Sequence, residues 1–188
     1  MDSTESIANY LFEVGELKRI KRSGWWLAKV KDPESVADHS HRTSVLTFIL
    51  AKMEKLDPYK LCVAAVFHDV VETRLADLHK VSARYIDVTK QIEEKVISEQ
   101  LESLPSEISA EMRKVYSLSS REAELLKDAD YLECAIQAKE YLEIGHQNCS
   151  TWLANIEKRL KTSSAKKIFE KIKKQNSNDW YAKLKKIE

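Results

Sequence analysis

The chain is poor in residues that turn or break a backbone, with three glycines and three prolines among 188 residues. A fold of many short strands needs turn residues at short intervals, so this shortage excludes an all-β architecture. Cysteine is equally sparse. Cys62, Cys134 and Cys149 are odd in number, far apart and without a CxxC pair. That excludes a disulfide framework and points to thiols in a reducing, cytoplasmic compartment. Neither sign of charge is in excess: 31 Lys and Arg face 30 Asp and Glu, a net charge of +1. No global basic field therefore draws the chain to nucleic acid or to a membrane surface. Apolar runs fall well short of the roughly 20 residues of a membrane span. The opening Met1-Asp2-Ser3-Thr4-Glu5 has neither the basic region nor the apolar core of a signal peptide. What remains, 43% hydrophobic and 32% charged residues, is helix-rich globular composition. The length suits one domain over residues 1–188 with a real core, and there is no internal repeat.

One stretch organises the rest: Leu61-Cys62-Val63-Ala64-Ala65-Val66-Phe67-His68-Asp69-Val70-Val71-Glu72. Asp57-Pro58 before it is a helix start, with Asp as N-cap and Pro at the first helical position. The run is apolar nearly all round, which predicts a buried central helix. Glu72 lies four residues after His68 and three after Asp69, so helical geometry lets all three point to one side. Even one buried polar group without a partner costs roughly 2–7 kcal/mol. A divalent metal removes that cost, because it takes neutral nitrogen and anionic oxygen as ligands.

Further groups are spread along the chain. An amphipathic helix over residues 4–20 leads into Arg22-Ser23-Gly24-Trp25-Trp26. There a guanidinium suits a phosphate and a ring suits a base or sugar, although a core anchor is the commoner use of such a Trp. Ser35 and Asp38 form a capping box that opens the next helix, with His39, His41 and Arg42 in its first turns. The positive end of that helix disfavours a charged imidazole and predicts a neutral one. Val45, Leu46, Phe48, Ile49 and Met53 follow at core spacing. Consecutive helices joined by a short loop are usually antiparallel neighbours, which brings His39 towards His68 and Asp69. Helices are also predicted over 87–103 and from Ile108 to Tyr116, broken at Pro105. Ser119 to Glu122 is a second capping box, opening a long helix that ends near Gly145. Inside it, helical phase leaves Asp128 and Asp130 equally plausible as inward-facing acids. From Thr151 onward a Lys-rich amphipathic helix, an Asn-Ser-Asn turn at 176–178 and a segment with Trp180, Tyr181, Leu184 and Ile187 complete the chain.

Taken together these blocks resemble the HD-domain metal-dependent phosphohydrolases, most closely their 5'-deoxynucleotidase branch. The match lies in Arg22-Ser23-Gly24-Trp25, Glu34-Ser35-Val36-Ala37-Asp38-His39, His68-Asp69-Val70-Val71-Glu72, Asp77 and Lys127-Asp128-Ala129-Asp130. It runs over about residues 15–145, leaving 150–188 as a C-terminal helical extension. The resemblance implies an all-α, single-domain helical bundle and commonly a homodimer. It implies that His39, His68, Asp69 and Asp130 ligate a divalent metal, with Co²⁺, Mn²⁺ or Zn²⁺ ahead of Mg²⁺. By the same resemblance Asp130, as the last residue of its block, is preferred over Asp128. Glu72 becomes the catalytic acid/base, assisted by Asp77, while Arg22 and Trp25 hold the nucleotide. The expected reaction is removal of the 5'-phosphate from deoxynucleoside monophosphates. Alternatives are another HD phosphohydrolase activity, on (p)ppGpp, a cyclic nucleotide or a triphosphate, or a non-catalytic helical module with a structural metal. One departure is Ala76, where the branch often carries Gly before the Asp.

Overall fold

The computed structural model describes residues 3–182 and 184, and these form α-helices and short 3₁₀ turns with no strand among them. In order the helices are α1 (Ser3–Gly15), α2 (Gly24–Leu27), α3 (Val36–Glu54), α4 (Pro58–Phe67), α5 (Glu72–Leu75) and α6 (Lys90–Glu102). There follow α7 (Ser106–Tyr116), α8 (Ser120–Glu143), α9 (Ser150–Glu157), α10 (Ser163–Lys174) and α11 (Asp179–Ala182). Of the terminal segment, Lys185, Lys186 and Ile187 lie outside the described residues.

Several boundaries follow from local chemistry. Ser35 and Ser119 each close a reciprocal capping box, with Asp38 and Glu122. Asp57 caps α4 by accepting from the Tyr59 and Lys60 amides, with Pro58 opening the helix. Each such cap satisfies an amide that would otherwise lack a partner, at about 1 kcal/mol. The 4–20 helix stops at Gly15 and continues as a 3₁₀ turn over Glu16–Lys18. The C-terminal region breaks between α9 and α10, where Thr162 caps the second helix.

The main core joins Leu46 and Leu50 of α3 and Leu61 of α4 to Leu125 and Leu132 of α8 and Phe169 of α10. Each such buried side chain contributes about 1.5–3 kcal/mol. The C-terminal extension is thus part of the same core as the motif-bearing helices. Two smaller clusters flank it, one with Tyr10, Val36, Val70 and Leu101, the other with Trp25, Val30, Ala138 and Tyr141.

Two expectations are corrected here. Of the apolar positions predicted for the core on α3, only Leu46 is buried; Val45, Phe48, Ile49 and Met53 face outward. The inner face of α3 is instead built from Leu46, Leu50 and Ala51 with Thr43 and Thr47. Both sides of this helix are apolar, so periodicity alone does not choose between them. Nor is α4 buried all round, since Val63 and Val66 are exposed.

Candidate active site

The site lies where the start of α3, the end of α4 and the middle of α8 converge. Its entrance is set by a short antiparallel contact, in which Arg22 N–H donates to the Glu34 carbonyl and Val36 N–H to the Ile20 carbonyl. That contact carries Arg22 to the first turn of α3. The ring centroids of His39 and His68 are then 5.6 Å apart.

The helix predicted through Glu72 is interrupted. α4 ends at Phe67, His68 is its C-cap, and Glu72 opens the four-residue α5. Turn hydrogen bonds bridge the gap, including Glu72 N–H to the Asp69 carbonyl at 3.0 Å. The three side chains still share one region, because Asp69 and Glu72 line the same cavities and His68 joins them in one.

Each histidine has one nitrogen committed and one directed inward. His39 Nδ1 lies 2.5 Å from Glu133 Oε2, and His68 Nδ1 donates to the Ala65 carbonyl at 2.7 Å. The two Nε2 atoms are left to face the acids. His39 Nε2 is 3.3 Å from Asp130 Oδ1 and 3.6 Å from Asp69 Oδ2, and His68 Nε2 is 3.1 Å from Asp69 Oδ2. Ligand atoms of His39, His68 and Asp130 lie within 4.8 Å of one another. His68 Nε2, Asp69 Oδ2 and Glu72 Oε2 are buried without a hydrogen-bond partner. Buried lone pairs left unpaired beside one another are the signature of a cation's place, and two imidazoles with two carboxylates suit a borderline divalent metal.

The choice between the two acids of α8 is made by tertiary contacts. Asp130 faces His39 and accepts from Lys127 Nζ at 2.6 Å. Asp128 points away and is fully used elsewhere, accepting from the Lys161 and Thr162 amides and the Thr162 hydroxyl.

Charges inside the cluster hold one another. Burial alone would lower the Arg22 pKa, but Asp69, Asp130 and Asp77 together raise it above its usual value. Burial and Arg22 act against a charged His39, yet hydrogen bonds to Asp130 and Glu133 push it up to about 10 in the metal-free chain. The carboxylates that act on His39 are brought in from α8, which the sequence around α3 does not show. Glu72 is pushed up to about 9 by burial first, then by the Asp69 and Asp77 charges.

Asp77 is turned towards the entrance. Its carboxylate accepts from Ser23 N–H at 3.0 Å, the Ser23 hydroxyl at 2.8 Å and Arg22 Nη1 at 3.0 Å. It therefore holds Arg22, whose guanidinium also comes within 3.8 Å of both Asp69 and Asp130. Trp25 is 2% exposed, its ring stacked at 5.6 Å on Trp152 and set edge-on to Tyr141, with Nε1 donating to Glu34. Most of its area is spent in packing, and what it gives the site is part of a wall.

Two cavities meet at Asp69, Glu72 and Leu78. One, of about 520 Å³, is lined by Arg22, Lys80, Lys127 and Arg159 together with Trp25, Tyr131 and Trp152. The other, of about 460 Å³, has acidic and apolar walls, with no Lys or Arg among its lining residues. By charge, the first cavity is the one suited to an anion.

Sequence reasoning missed Glu133 and the role of Arg42. Arg42 Nε donates to Glu133 at 2.9 Å while Glu133 holds His39, a carboxylate–histidine arrangement that fixes ring orientation. The i, i+3 spacing of Asp130 and Glu133 on α8 was the available signal. It also missed the α9 wall, which no motif marks.

Residues 14–173 match the family model described as HD domain. The human 5'-deoxynucleotidase HDDC2 is 30% identical over 76% of this chain and 71% of its own length. The Dictyostelium discoideum protein of the same name is 32% identical over 75% of this chain and 82% of its own. Among solved structures, a conserved hypothetical protein from Pyrococcus furiosus is 32% identical with a TM-score of 0.70. It covers 89% of this chain and 99% of its own.

Proposed function

This chain belongs to the HD-domain family, and we propose that it removes the 5'-phosphate from deoxynucleoside monophosphates with the aid of a divalent metal. The observation that carries the reading is the meeting of His39, His68, Asp69 and Asp130 with Arg22 and Glu72 at the inner end of a cation-lined cavity. His39, His68, Asp69 and Asp130 would hold the metal, with Co²⁺, Mn²⁺ or Zn²⁺ better suited to the mixed donor set than Mg²⁺. When bound, such a cation lowers the pKa of water and polarises a phosphoryl group. Arg22, held by Asp77, neutralises charge on the phosphate as it is transferred. Glu72 carries the proton. Its carboxylate form accepts one from the attacking water and its carboxyl form delivers one to the departing 5' oxygen. Trp25, with Trp152 behind it, walls the nucleoside end.

No helix among the described residues is long and apolar enough to cross a membrane. Three free cysteines suit the cytoplasm. A homodimer is part of the same reading. Its contact is assigned to the exposed apolar side chains Val45, Ile49 and Met53 on α3 and Tyr59, Val63 and Val66 on α4. Ile49→Glu should convert the dimer to monomer by light scattering, and a monomeric parent protein would remove the dimer from the reading.

The activity is tested by phosphate release from metal-stripped protein reloaded with each cation in turn. The panel holds deoxy- and ribonucleoside 5'-monophosphates, 3'-monophosphates, triphosphates and (p)ppGpp. Metal-dependent release from the deoxy 5'-monophosphates is expected. Release of pyrophosphate or tripolyphosphate would move the chain to another branch of the family.

A further inference from the structure

Glu72 sits on the least anchored element of the site. α5 has only four residues, none of them buried, and no side chain caps its first turn. A helix this short gains almost nothing from its own hydrogen bonds, since nucleation consumes what one turn returns. Something outside it must fix the direction of Glu72.

A polar cluster on the far side of α5 does so. Glu13 of α1 reaches across with both oxygens. Its Oε1 accepts from Arg74 Nε at 2.7 Å, Thr73 Oγ1 at 3.1 Å and Gln100 Nε2 at 2.7 Å, and its Oε2 accepts from Arg74 Nη2 at 3.0 Å. Gln100 of α6, 1% exposed, also lies 3.3 Å from the Val70 carbonyl and 3.0 Å from Thr73 Oγ1. Thr73 and Arg74 are the two residues that follow Glu72, so α1 and α6 grip the back of the helix whose front enters the site. Charge-assisted bonds of this kind are shorter and about twice as strong as neutral ones. Glu72 Oε2, by contrast, has no hydrogen-bond partner of its own. Its aim is therefore inherited from α5.

From this geometry we infer that Glu13 and Gln100 are positioning residues for Glu72, acting on turnover through the placement of α5 and touching neither substrate nor metal ligands. The inference rests on the catalytic role given to Glu72 above. Displacing a reacting group by about 1 Å can cost on the order of 100-fold in rate.

The test uses the metal-loaded full chain with Glu13→Ala, Gln100→Leu and the milder Glu13→Gln, which keeps the volume if the alanine variant fails to fold. The expected result is a fall in kcat of about 10- to 100-fold, with KM and bound metal unchanged. Placing Glu13→Ala in a Glu72→Ala background should cost nothing more, because the group being aimed is gone. Amide hydrogen exchange over residues 72–75 should rise in each single variant, whatever the substrate. A kcat within about twofold of the parent, a loss that persists at full size without Glu72, or unchanged exchange would each overturn the inference. Absence of deoxynucleotide hydrolysis in the parent chain would instead refute the activity, and the exchange measurement would still decide whether Glu13 fixes α5.

Discussion

Glu133 holds the Nδ1 edge of the His39 ring at 2.5 Å across 94 positions of sequence, and both side chains are fully buried. This contact turns His39 Nε2 towards Asp69 and Asp130. Burial would raise the Glu133 pKa, but the contact with His39 first, and then the ion pair and hydrogen bond with Arg42, hold it below the usual carboxylate value. Glu133→Gln keeps the volume and removes the charge. It should weaken cation binding by roughly 10- to 100-fold, read by competition with a chelator. Unchanged affinity would mean that His39 is oriented by its helix alone.

Glu72 gives a pH dependence with a definite sign. Burial and the neighbouring acids raise its pKa from 4.5 to about 9 in the metal-free protein. Between those values the folded chain holds a proton that the unfolded chain has released, so this group's contribution falls as pH rises. Glu72→Gln cannot ionise and removes that share. In the presence of chelator, the stability of the variant relative to the parent should therefore grow from about pH 5 to pH 9 in urea titrations. Parallel curves would place Glu72 in contact with water.

Asp128 and Asp130, two residues apart on α8, should separate folding from metal binding. Asp128→Ala leaves the Lys161 and Thr162 amides without their acceptor and should cost about 2–4 kcal/mol, with cation affinity retained. Asp130→Ala should leave the fold intact and abolish tight cation binding. Measuring urea midpoints and bound metal on both variants distinguishes the roles, and exchanged outcomes would reverse the assignment.

Ala76 stands in left-handed space at φ +58° and ψ 165°, where a Cβ is unfavourable. That turn delivers Asp77 to Ser23 and Arg22. With Ala at this position Asp77 still bonds to Ser23 and Arg22, and the strain falls on the residue before it. Ala76→Gly should stabilise the protein by about 1 kcal/mol, seen as a rise in Tm of a few degrees, without loss of activity. A lower Tm would show that the strain is absorbed elsewhere.

The sequence by itself determined the helical class, through scarce Gly and Pro, and the helix starts at Ser35, Asp57 and Ser119, because a cap is a contact between near neighbours. The four blocks bearing Arg22, His39, His68 with Asp69, and Asp130 were legible as well, since their order and spacing resemble one family. Tertiary structure decided what depends on which side of a helix meets which neighbour. It sent Asp130 inward and Asp128 to the α10 cap, although helical phase admitted both. It turned Val45 and Ile49 outward on a helix apolar on two sides, and spent Trp25 on Trp152. Glu133 and Glu13 were invisible for the same reason. Their partners lie 94 and 60 or more positions away, and a bond across that distance exists only once the chain has closed on itself.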